Sequence, residues 1–189
     1  MVNGGVRSTG AVVSLVVPEM GHATELLELV NRNQEHFAPG EPLRPDSYFT
    51  LDAQRKVIRG WKAARESSDS YAWLIEYEGQ IVGRASLNIV IRGAFQSASV
   101  AYAVDREATR RGIATAALLQ MVDFAFAKLD LHRLQGETLL TNHASQATLQ
   151  RCGFVRYGTA PDYLFIQGRW RDHVLFQRLN PNHSSLQSG

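Results

Sequence analysis

The chain has 189 residues, of which 44% are hydrophobic and 20% charged, so its composition excludes a disordered protein and fits one globular domain. Twenty basic and eighteen acidic residues give a net charge of +2, which argues against nucleic acid or an anionic membrane as a partner. Cys152 is the only cysteine, and the spacing of His and Cys does not fit zinc. We expect a cytoplasmic protein that needs neither a disulfide nor a metal.

The first seventy residues predict one strand and two helices. The apolar run 11–17 is far shorter than the ~20 residues of a membrane helix, and its branched side chains predict a buried strand. Residues 22–35 repeat apolar side chains at helical spacing, which predicts an amphipathic helix. Three prolines make 36–46 a loop, and a second helix is expected to begin near Asp46 or Ser47.

The rest of the chain predicts a sheet interrupted by two helices. Apolar runs on both sides of a turn at Glu78 and Gly79 predict an antiparallel meander. One domain over 11–180 follows, with a flexible N-terminus over 1–10 and a flexible tail over 181–189. The expected elements are strands over 71–77, 81–91 and 97–104, a helix over 112–128, a strand over 132–140, a helix over 144–151, and strands over 154–160, 163–167 and 170–179.

A polar loop between a predicted strand and a predicted helix has the features of a phosphate site. The stretch VDREATRRGIAT over 104–115 ends a strand, passes through Arg110 and Arg111, and begins a helix at Gly112. The first amides of a helix have no partner within it, and the helix dipole favours an anion beside them. Basic side chains at this end oppose the dipole unless a bound polyphosphate compensates them. The stretch predicts a phosphate cradle, with an ordinary solvated loop as the alternative.

The loop and the last third of the chain contain motifs of one known family. The run TRRGIA over 109–114 reads like Gln/Arg-x-x-Gly-x-Gly/Ala, with Thr109 at the first position, and the run over 131–154 contains Asn-x-x-Ser and Cys-Gly-Phe. With the closing stretch GRWRDHVLFQRL over 168–179, these motifs resemble the GNAT superfamily of acyl-CoA-dependent N-acetyltransferases. Within it they resemble the RimJ/RimL-type branch, which acetylates protein N-termini. The resemblance implies one α/β (α+β) domain with a mixed, mostly antiparallel central sheet of about seven strands and about four helices.

The resemblance also implies which residues bind acetyl-CoA, the expected cosubstrate. Backbone groups of Tyr102, Ala103 and Val104 would align the pantetheine arm and the acetyl carbonyl beside a splayed strand. Asn142 would contact the pantetheine arm. The pyrophosphate would lie against Arg110, Arg111, Gly112, Ile113, Ala114 and Thr115.

A hydroxyl that protonates the departing CoA thiolate is implied in the same way. Many members of the superfamily use a tyrosine seven residues after the asparagine, where this chain has Leu149. The RimJ/RimL-type branch uses the serine of Asn-x-x-Ser, which is Ser145 here. From residue type alone, Ser145 is an ordinary helix N-cap.

Two carboxylates compete for the role of general base. By resemblance, Glu137 lies five residues before Asn142, where one group of N-terminal acetyltransferases has a catalytic glutamate, and Asp162 stands where the RimL-type pattern has an acid. A solvated strand carboxylate and a turn residue after Pro161 are the alternative interpretations. Cys152 is expected to pack in the core rather than to act as a nucleophile.

The expected reaction is direct transfer of the acetyl group to a primary amine. An α-amine has a pKa of about 7.7 to 8.0 against about 10.4 for lysine, so roughly a tenth to a fifth of N-termini are neutral at pH 7. We therefore expect a protein N-terminus as acceptor, such as that of a ribosomal protein, with the loop 36–46 bordering the acceptor groove. Two alternatives stay open: a small amine, such as an antibiotic or polyamine, as the acceptor, and an inactive CoA-binding module. A homodimer also stays open.

Overall fold

Residues 12–183 are the part of the chain that the structure, a computed structural model, describes; they fold around a seven-stranded sheet. The expected flexible N-terminus over 1–10 lies outside these residues, as does 184–189 of the expected tail. The strands are β1 (Val13–Val16), β2 (Tyr71–Tyr77), β3 (Gln80–Ile91), β4 (Ser97–Val104), β5 (Arg133–Leu139), β6 (Val155–Ile166) and β7 (Arg169–Leu179). The helices are α1 (Ala23–Arg32), α2 (Gln34–Phe37), α3 (Leu51–Glu66), α4 (Ile113–Ala127) and α5 (His143–Arg151).

The strands lie in the order β1-β2-β3-β4-β5-β7-β6. Neighbouring strands are antiparallel except β4 and β5, which are parallel and are joined through α4. Parallel neighbours require such a crossover. The prediction of a mixed, mostly antiparallel sheet is confirmed, and the described helices number five because the short α2 is separate from α1.

Alternation along β2 explains why helices cover both faces of the sheet. Tyr71, Trp73 and Ile75 belong to a core that contains α4 and α5, whereas Leu74 packs with α1 and α3. Helix α4 is the centre of the larger core, and this burial fixes its first turn beside the end of β4. Its buried residues are Ile113, Ala117, Leu118, Met121, Val122 and Ala125.

Two predicted boundaries in the first half are wrong. Part of the expected loop over 36–46 is helical, because α2 is followed by a 3-10 turn at Ala38–Gly40. A second 3-10 turn occupies Asp46–Phe49, and α3 begins only at Leu51. The reason is the cap: Thr50 Oγ1 accepts a hydrogen bond from Ala53 N at 3.3 Å and sets the start of the helix.

Strand β6 is one long strand where two were predicted over 154–160 and 163–167. Its pairing with β7 shifts between Ala160 and Leu164, which marks a bulge. The bulge contains Pro161, which has no ladder donor, and Asp162, whose φ is 46°. The chain therefore leaves the ladder locally and rejoins it without ending the strand.

Candidate active site

Strands β4 and β5 separate near the middle of the sheet. They pair over three residues, from Ser97 opposite Arg133 to Ser99 opposite Gln135. Beyond this point β4 stays paired with β3, and β5 stays paired with β7. The sheet opens toward the carboxyl ends of its two parallel strands, the place where ligands of α/β sheets commonly bind.

Two cavities meet at this opening. The loop groove has a volume of about 570 Å³ and is lined by the end of β4, the loop before α4 and its first turn, α5, and the segment 36–41. The carboxylate cleft has a volume of about 390 Å³ and contains Ser99, Glu137 and Tyr163. A molecule in the loop groove can thus present one end to a group in the carboxylate cleft. Both cavities are lined by Gly40, Tyr102, Leu139, Asn142 and Ser145.

The loop groove contains the predicted phosphate cradle. Gly112 caps α4 with a φ of 77°, a left-handed conformation that glycine adopts without strain. Ala116 N donates to Gly112 O at 3.0 Å, which leaves the amides of the first helical turn without a partner in the helix. The predicted cofactor residues that line the groove are Tyr102, Ala103, Val104, Arg110, Gly112, Ile113, Ala114, Thr115 and Asn142.

The two predicted arginines point to different places. Arg110 lines the loop groove, whereas Arg111 lines a separate cavity with Glu25, Glu28 and Asp105. The φ of Arg110 is 62°, and a left-handed residue turns the chain between its neighbours. Arg110 therefore contributes positive charge to the groove, as Arg151 of α5 does, and the structure does not place Arg111 with the other predicted residues.

Helix α1 holds the chain immediately before the cradle. Arg32 forms a salt bridge with Asp105, and Arg106 N donates to Asn33 Oδ1 at 2.9 Å. Burial disfavours the charged form of Asp105, but the hydrogen bonds from Arg32 and from the following turn outweigh it and hold the pKa below its ordinary value. These contacts therefore fix the position of the first residues of the loop that lines the groove.

Helix α5 brings Asn142 and Ser145 to the junction of the two cavities. Asn142 is the N-cap, and its Oδ1 accepts a hydrogen bond from Ser145 N at 3.0 Å. Ser145 is the third residue of the helix, so the alternative interpretation of this serine as the N-cap is wrong. Its hydroxyl is left to face the opening, where Oγ lies 3.0 Å from the Tyr102 hydroxyl.

The side chain of Tyr102 is a feature that the sequence analysis missed, because the prediction there concerned its backbone. The phenol oxygen lies 3.0 Å from Ser145 Oγ and 3.3 Å from the Ser145 carbonyl oxygen. Burial raises the pKa of Tyr102 to about 12, so the phenol stays neutral at physiological pH. Alternation with the buried Ala98 and Val100 could have indicated that this ring faces α5.

Glu137 lies on β5 and lines the carboxylate cleft. Ser99 Oγ on β4 donates a hydrogen bond to Glu137 Oε2, which links the two strands at the point where they separate. Burial raises the pKa of the Glu137 carboxyl, while the Ser99 hydrogen bond and the nearby His173 act in the opposite direction. A raised pKa makes this carboxylate a better proton acceptor near neutral pH than an exposed one.

Asp162, the other candidate base, lies outside both cavities. It is exposed at the β6 bulge, where its amide donates to Asp172 Oδ1 at 3.0 Å. The next residue, Tyr163, does line the carboxylate cleft. The structure thus brings Glu137 and Ser145 together and leaves Asp162 apart from them.

Close packing holds α5 against β5. A Cβ atom at Gly136 would lie 2.7 Å from Leu149 Cδ2, so a larger residue there would require the buried Leu149 side chain to shift. Leu149 is 2% exposed and has a packing role. The prediction that Cys152 packs in the core is confirmed, because it is 1% exposed and burial raises the pKa of its thiol.

The segment over 36–46 borders the loop groove more than the carboxylate cleft. Gly40 lines both cavities, and its neighbours Pro39 and Glu41 line the loop groove. Arg84 of β3 holds this segment through a salt bridge with Glu41. At the β6–β7 turn, Gln167 Nε2 donates to the carbonyl oxygen of Glu41 at 3.3 Å and of Ala38 at 3.1 Å.

Within residues 12–183, no three side chains of His, Cys, Asp or Glu form a group that could hold a metal ion. No helix of that range is both long and apolar enough to cross a membrane. The groups that line the two cavities include backbone amides, hydroxyls, the Glu137 carboxylate and the Arg110 guanidinium.

Residues 14–155 match the family model described as acetyltransferase (GNAT) domain. The chain therefore belongs to the GNAT family of N-acetyltransferases.

Relatives and solved structures place it among the RimJ/RimL-type members. The probable N-acetyltransferase YjcK of Bacillus subtilis is 34% identical over 166 residues, covering 87% of this chain and 92% of the relative. The [ribosomal protein uS5]-alanine N-acetyltransferase of Escherichia coli is 28% identical over 169 residues, covering 85% of this chain and 84% of the relative. The structure of Mycobacterium smegmatis RimJ in complex with CoA-disulfide superposes with a TM-score of 0.86 at 30% identity, covering 90% of this chain and 86% of that one.

Proposed function

We propose that this protein transfers the acetyl group of acetyl-CoA directly to the N-terminal α-amine of a protein, such as a ribosomal protein. The observation that carries the proposal is the position of two side chains: Glu137 and Ser145 line the same cleft, and Ser145 also lines the loop groove. A base for the amine and a hydroxyl for the thiol face a common point. The name of the Escherichia coli relative, an alanine N-acetyltransferase of ribosomal protein uS5, supports this class of acceptor.

The loop groove suits acetyl-CoA as the donor. The pyrophosphate of acetyl-CoA would lie against the amides over 113–115 and the Arg110 guanidinium, because a helix N-terminus stabilises an anion. The pantetheine arm would pass Asn142 and bring the thioester to the opening between β4 and β5. Arg111 contributes to this site only if its side chain turns away from the separate cavity that it lines.

The reaction forms a C–N bond and breaks the C–S bond. The neutral amine attacks the thioester carbonyl, and its extra proton passes to Glu137, directly or through one water. The sulfur keeps the electron pair of the C–S bond and takes the proton of Ser145. Water reprotonates the serine, and Glu137 returns the amine proton to water, so both groups regain their starting states. General-base help of this kind contributes about 10²- to 10⁴-fold, and the positioning of two bound reactants contributes as well.

The lining of the carboxylate cleft favours an acceptor with a single charge. Among the described residues that line it, Glu137 is the only carboxylate. The cleft also has exposed apolar side chains, including Ile89 at 70% and Phe95 at 42%. A polyamine carries several charges that additional carboxylates would stabilise, whereas a peptide presents one α-ammonium group followed by side chains that can contact an apolar wall.

Release of CoA from acetyl-CoA in the presence of short peptides tests the proposal. We expect release with peptides that begin with Ser, Ala or Thr, and none with the same peptides blocked at the N-terminus but retaining a lysine. Release with spermidine, together with no release for any of the peptides, would favour a small-amine enzyme. Binding of CoA without release for any amine would favour an inactive module, an alternative based on Thr109 and Leu149. Mass spectrometry of protein N-termini from cells with and without this protein would then identify the acceptor.

A further inference from the structure

The phenol of Tyr102 lies at the junction of the two cavities and contacts the hydroxyl of Ser145. Tyr102 lines both the loop groove and the carboxylate cleft, as Ser145 does. The two oxygens are 3.0 Å apart, although the residues are 43 positions apart in the chain and on different elements. This contact therefore depends on the separation of β4 from β5, which leaves α5 opposite the end of β4.

The direction of this hydrogen bond decides what Ser145 can do. Each hydroxyl has one proton, and either oxygen could donate. If Ser145 donates to Tyr102, its proton points at the phenol and is not available to a ligand. If Tyr102 donates to Ser145 Oγ, the serine proton is free to point into the loop groove.

The distances around the phenol favour it as the donor. The Ser145 carbonyl oxygen, which can only accept, lies 3.3 Å from the phenol oxygen, so the phenol proton has acceptors on Ser145. Of the two Ser145 oxygens, Oγ is the nearer, at 3.0 Å. Since burial raises the pKa of Tyr102 to about 12, the phenol proton is retained throughout the physiological range.

We propose that Tyr102 is a positioning residue that donates a hydrogen bond to Ser145 Oγ and so directs the serine proton at the leaving sulfur of CoA. This inference rests on the proposed function, in which Ser145 faces the thiol. Tyr102 itself does not touch the sulfur and gives up no proton. Its effect is to select one of the two orientations of the Ser145 hydroxyl.

The variant Tyr102→Phe removes the phenol oxygen and keeps the ring. We expect kcat to fall about tenfold, the size of one lost hydrogen bond, while the KM for acetyl-CoA stays within about twofold. Ser145→Ala is expected to lower kcat further, and the double variant should be no slower than Ser145→Ala alone, because both changes remove the same interaction. Tyr77→Phe, on β2 and outside both cavities, is the matched control and should leave kcat unchanged.

A second measurement does not depend on turnover. In the complex with CoA, the thiolate can be titrated by its ultraviolet absorbance. A hydroxyl proton directed at sulfur stabilises the thiolate, so the bound thiol should have a lower pKa in the wild type than in Tyr102→Phe. A purely structural role for the ring would leave this pKa unchanged.

The outcomes separate the two proposals. A wild-type kcat for Tyr102→Phe, or additive losses in the double variant together with an unchanged thiol pKa, would overturn the role of Tyr102. If the wild type acetylates no amine, the proposed function is wrong, and the thiol titration with CoA still tests the orientation of Ser145. Calorimetry with CoA confirms that each variant is folded, because the cradle at Gly112 is untouched by these substitutions.

Discussion

The loop groove and the carboxylate cleft differ in how the chain builds them. The loop groove takes the largest share of its lining from one contiguous stretch, 102–115, and the expected binding groups of that stretch are largely backbone amides. The carboxylate cleft takes side chains from five strands, β3 to β7, and from α5. An amide cradle at a helix N-terminus is a local motif, whereas a pair of proton-transferring side chains is a product of sheet topology. Substitutions in the groove should mainly change binding, and substitutions in the cleft should mainly change turnover.

The largest effect is expected for Glu137→Gln, which removes the base and keeps the size of the side chain. We expect kcat to fall by about 10²- to 10⁴-fold, with the KM for acetyl-CoA within about twofold of wild type in steady-state kinetics. Asp162→Asn is the matched control, since that carboxylate lies outside the cleft. A greater loss in Asp162→Asn than in Glu137→Gln would assign the base to the β6 bulge and contradict the description of the cleft.

Substitutions of the two arginines of the loop should differ in their effect on the KM for acetyl-CoA rather than on kcat. Arg110→Ala removes a charged donor from the groove, and we expect the KM for acetyl-CoA to rise about tenfold with little change in kcat. Arg111→Ala should change the KM by less than about twofold, because that side chain lines a different cavity. Equal increases for the two variants would show that both arginines reach the pyrophosphate.

A moderate effect on the pH dependence of kcat/KM is expected at the hydrogen bond between Ser99 of β4 and Glu137 of β5. The active form of Glu137 is the carboxylate, so kcat/KM should fall as the pH drops through the pKa of this group. Ser99→Ala removes a hydrogen bond that stabilises the carboxylate, which raises the pKa further and should move the acidic limb of the pH profile upward by about one unit. Ser97→Ala, whose hydroxyl has no hydrogen-bond partner among the described residues, should leave the limb in place. An unshifted limb in Ser99→Ala would separate this titration from Glu137.

The smallest effect on turnover is expected at the end of β4, which both cavities share, and there the measured quantity is the free energy of unfolding. A Cβ atom at Gly83 of β3 would lie 2.5 Å from Ala103 O and 3.3 Å from Val104 Cα, so Gly83→Ala should displace the end of β4. We expect the free energy of unfolding to fall by about 1–3 kcal/mol in denaturant titrations. Gly60→Ala in the exposed face of α3, where a Cβ atom would meet nothing within 4 Å, should raise it by about 0.5–1 kcal/mol. Equal effects at both glycines would contradict the close approach of β3 to β4.

The cradle could be predicted from the sequence because everything that forms it is local. A strand, a polar turn, Gly112 and an apolar-periodic helix occur within one short stretch, and the structure places them as expected. The separation of Arg110 from Arg111 could not be predicted, since it depends on a single left-handed residue. Nothing in residue type distinguishes the two arginines.

The cleft could be predicted only in part, because its members meet through pairing over long stretches of chain. Glu137 and Asp162 were equal candidates on sequence, and their positions differ because β6 forms a bulge opposite β7. The sequence predicted one strand ending at Ala160 and another beginning at Tyr163, whereas a single strand runs through the bulge and its pairing resumes at Leu164. The phenol of Tyr102 was missed for the same reason, since its partner belongs to a helix that the sheet, and not the local sequence, brings near it.

The side-chain amide of Gln167 joins two parts of the chain that lie far apart in sequence. It ties the tip of the β6–β7 hairpin to the carbonyl oxygens of Ala38 and Glu41, on the segment that contains Gly40. Outward movement of the hairpin tip or of the segment containing Gly40 breaks both hydrogen bonds, at a cost of about 1 kcal/mol each. One glutamine side chain therefore couples the position of the hairpin tip to that of the segment containing Gly40, which lines both cavities.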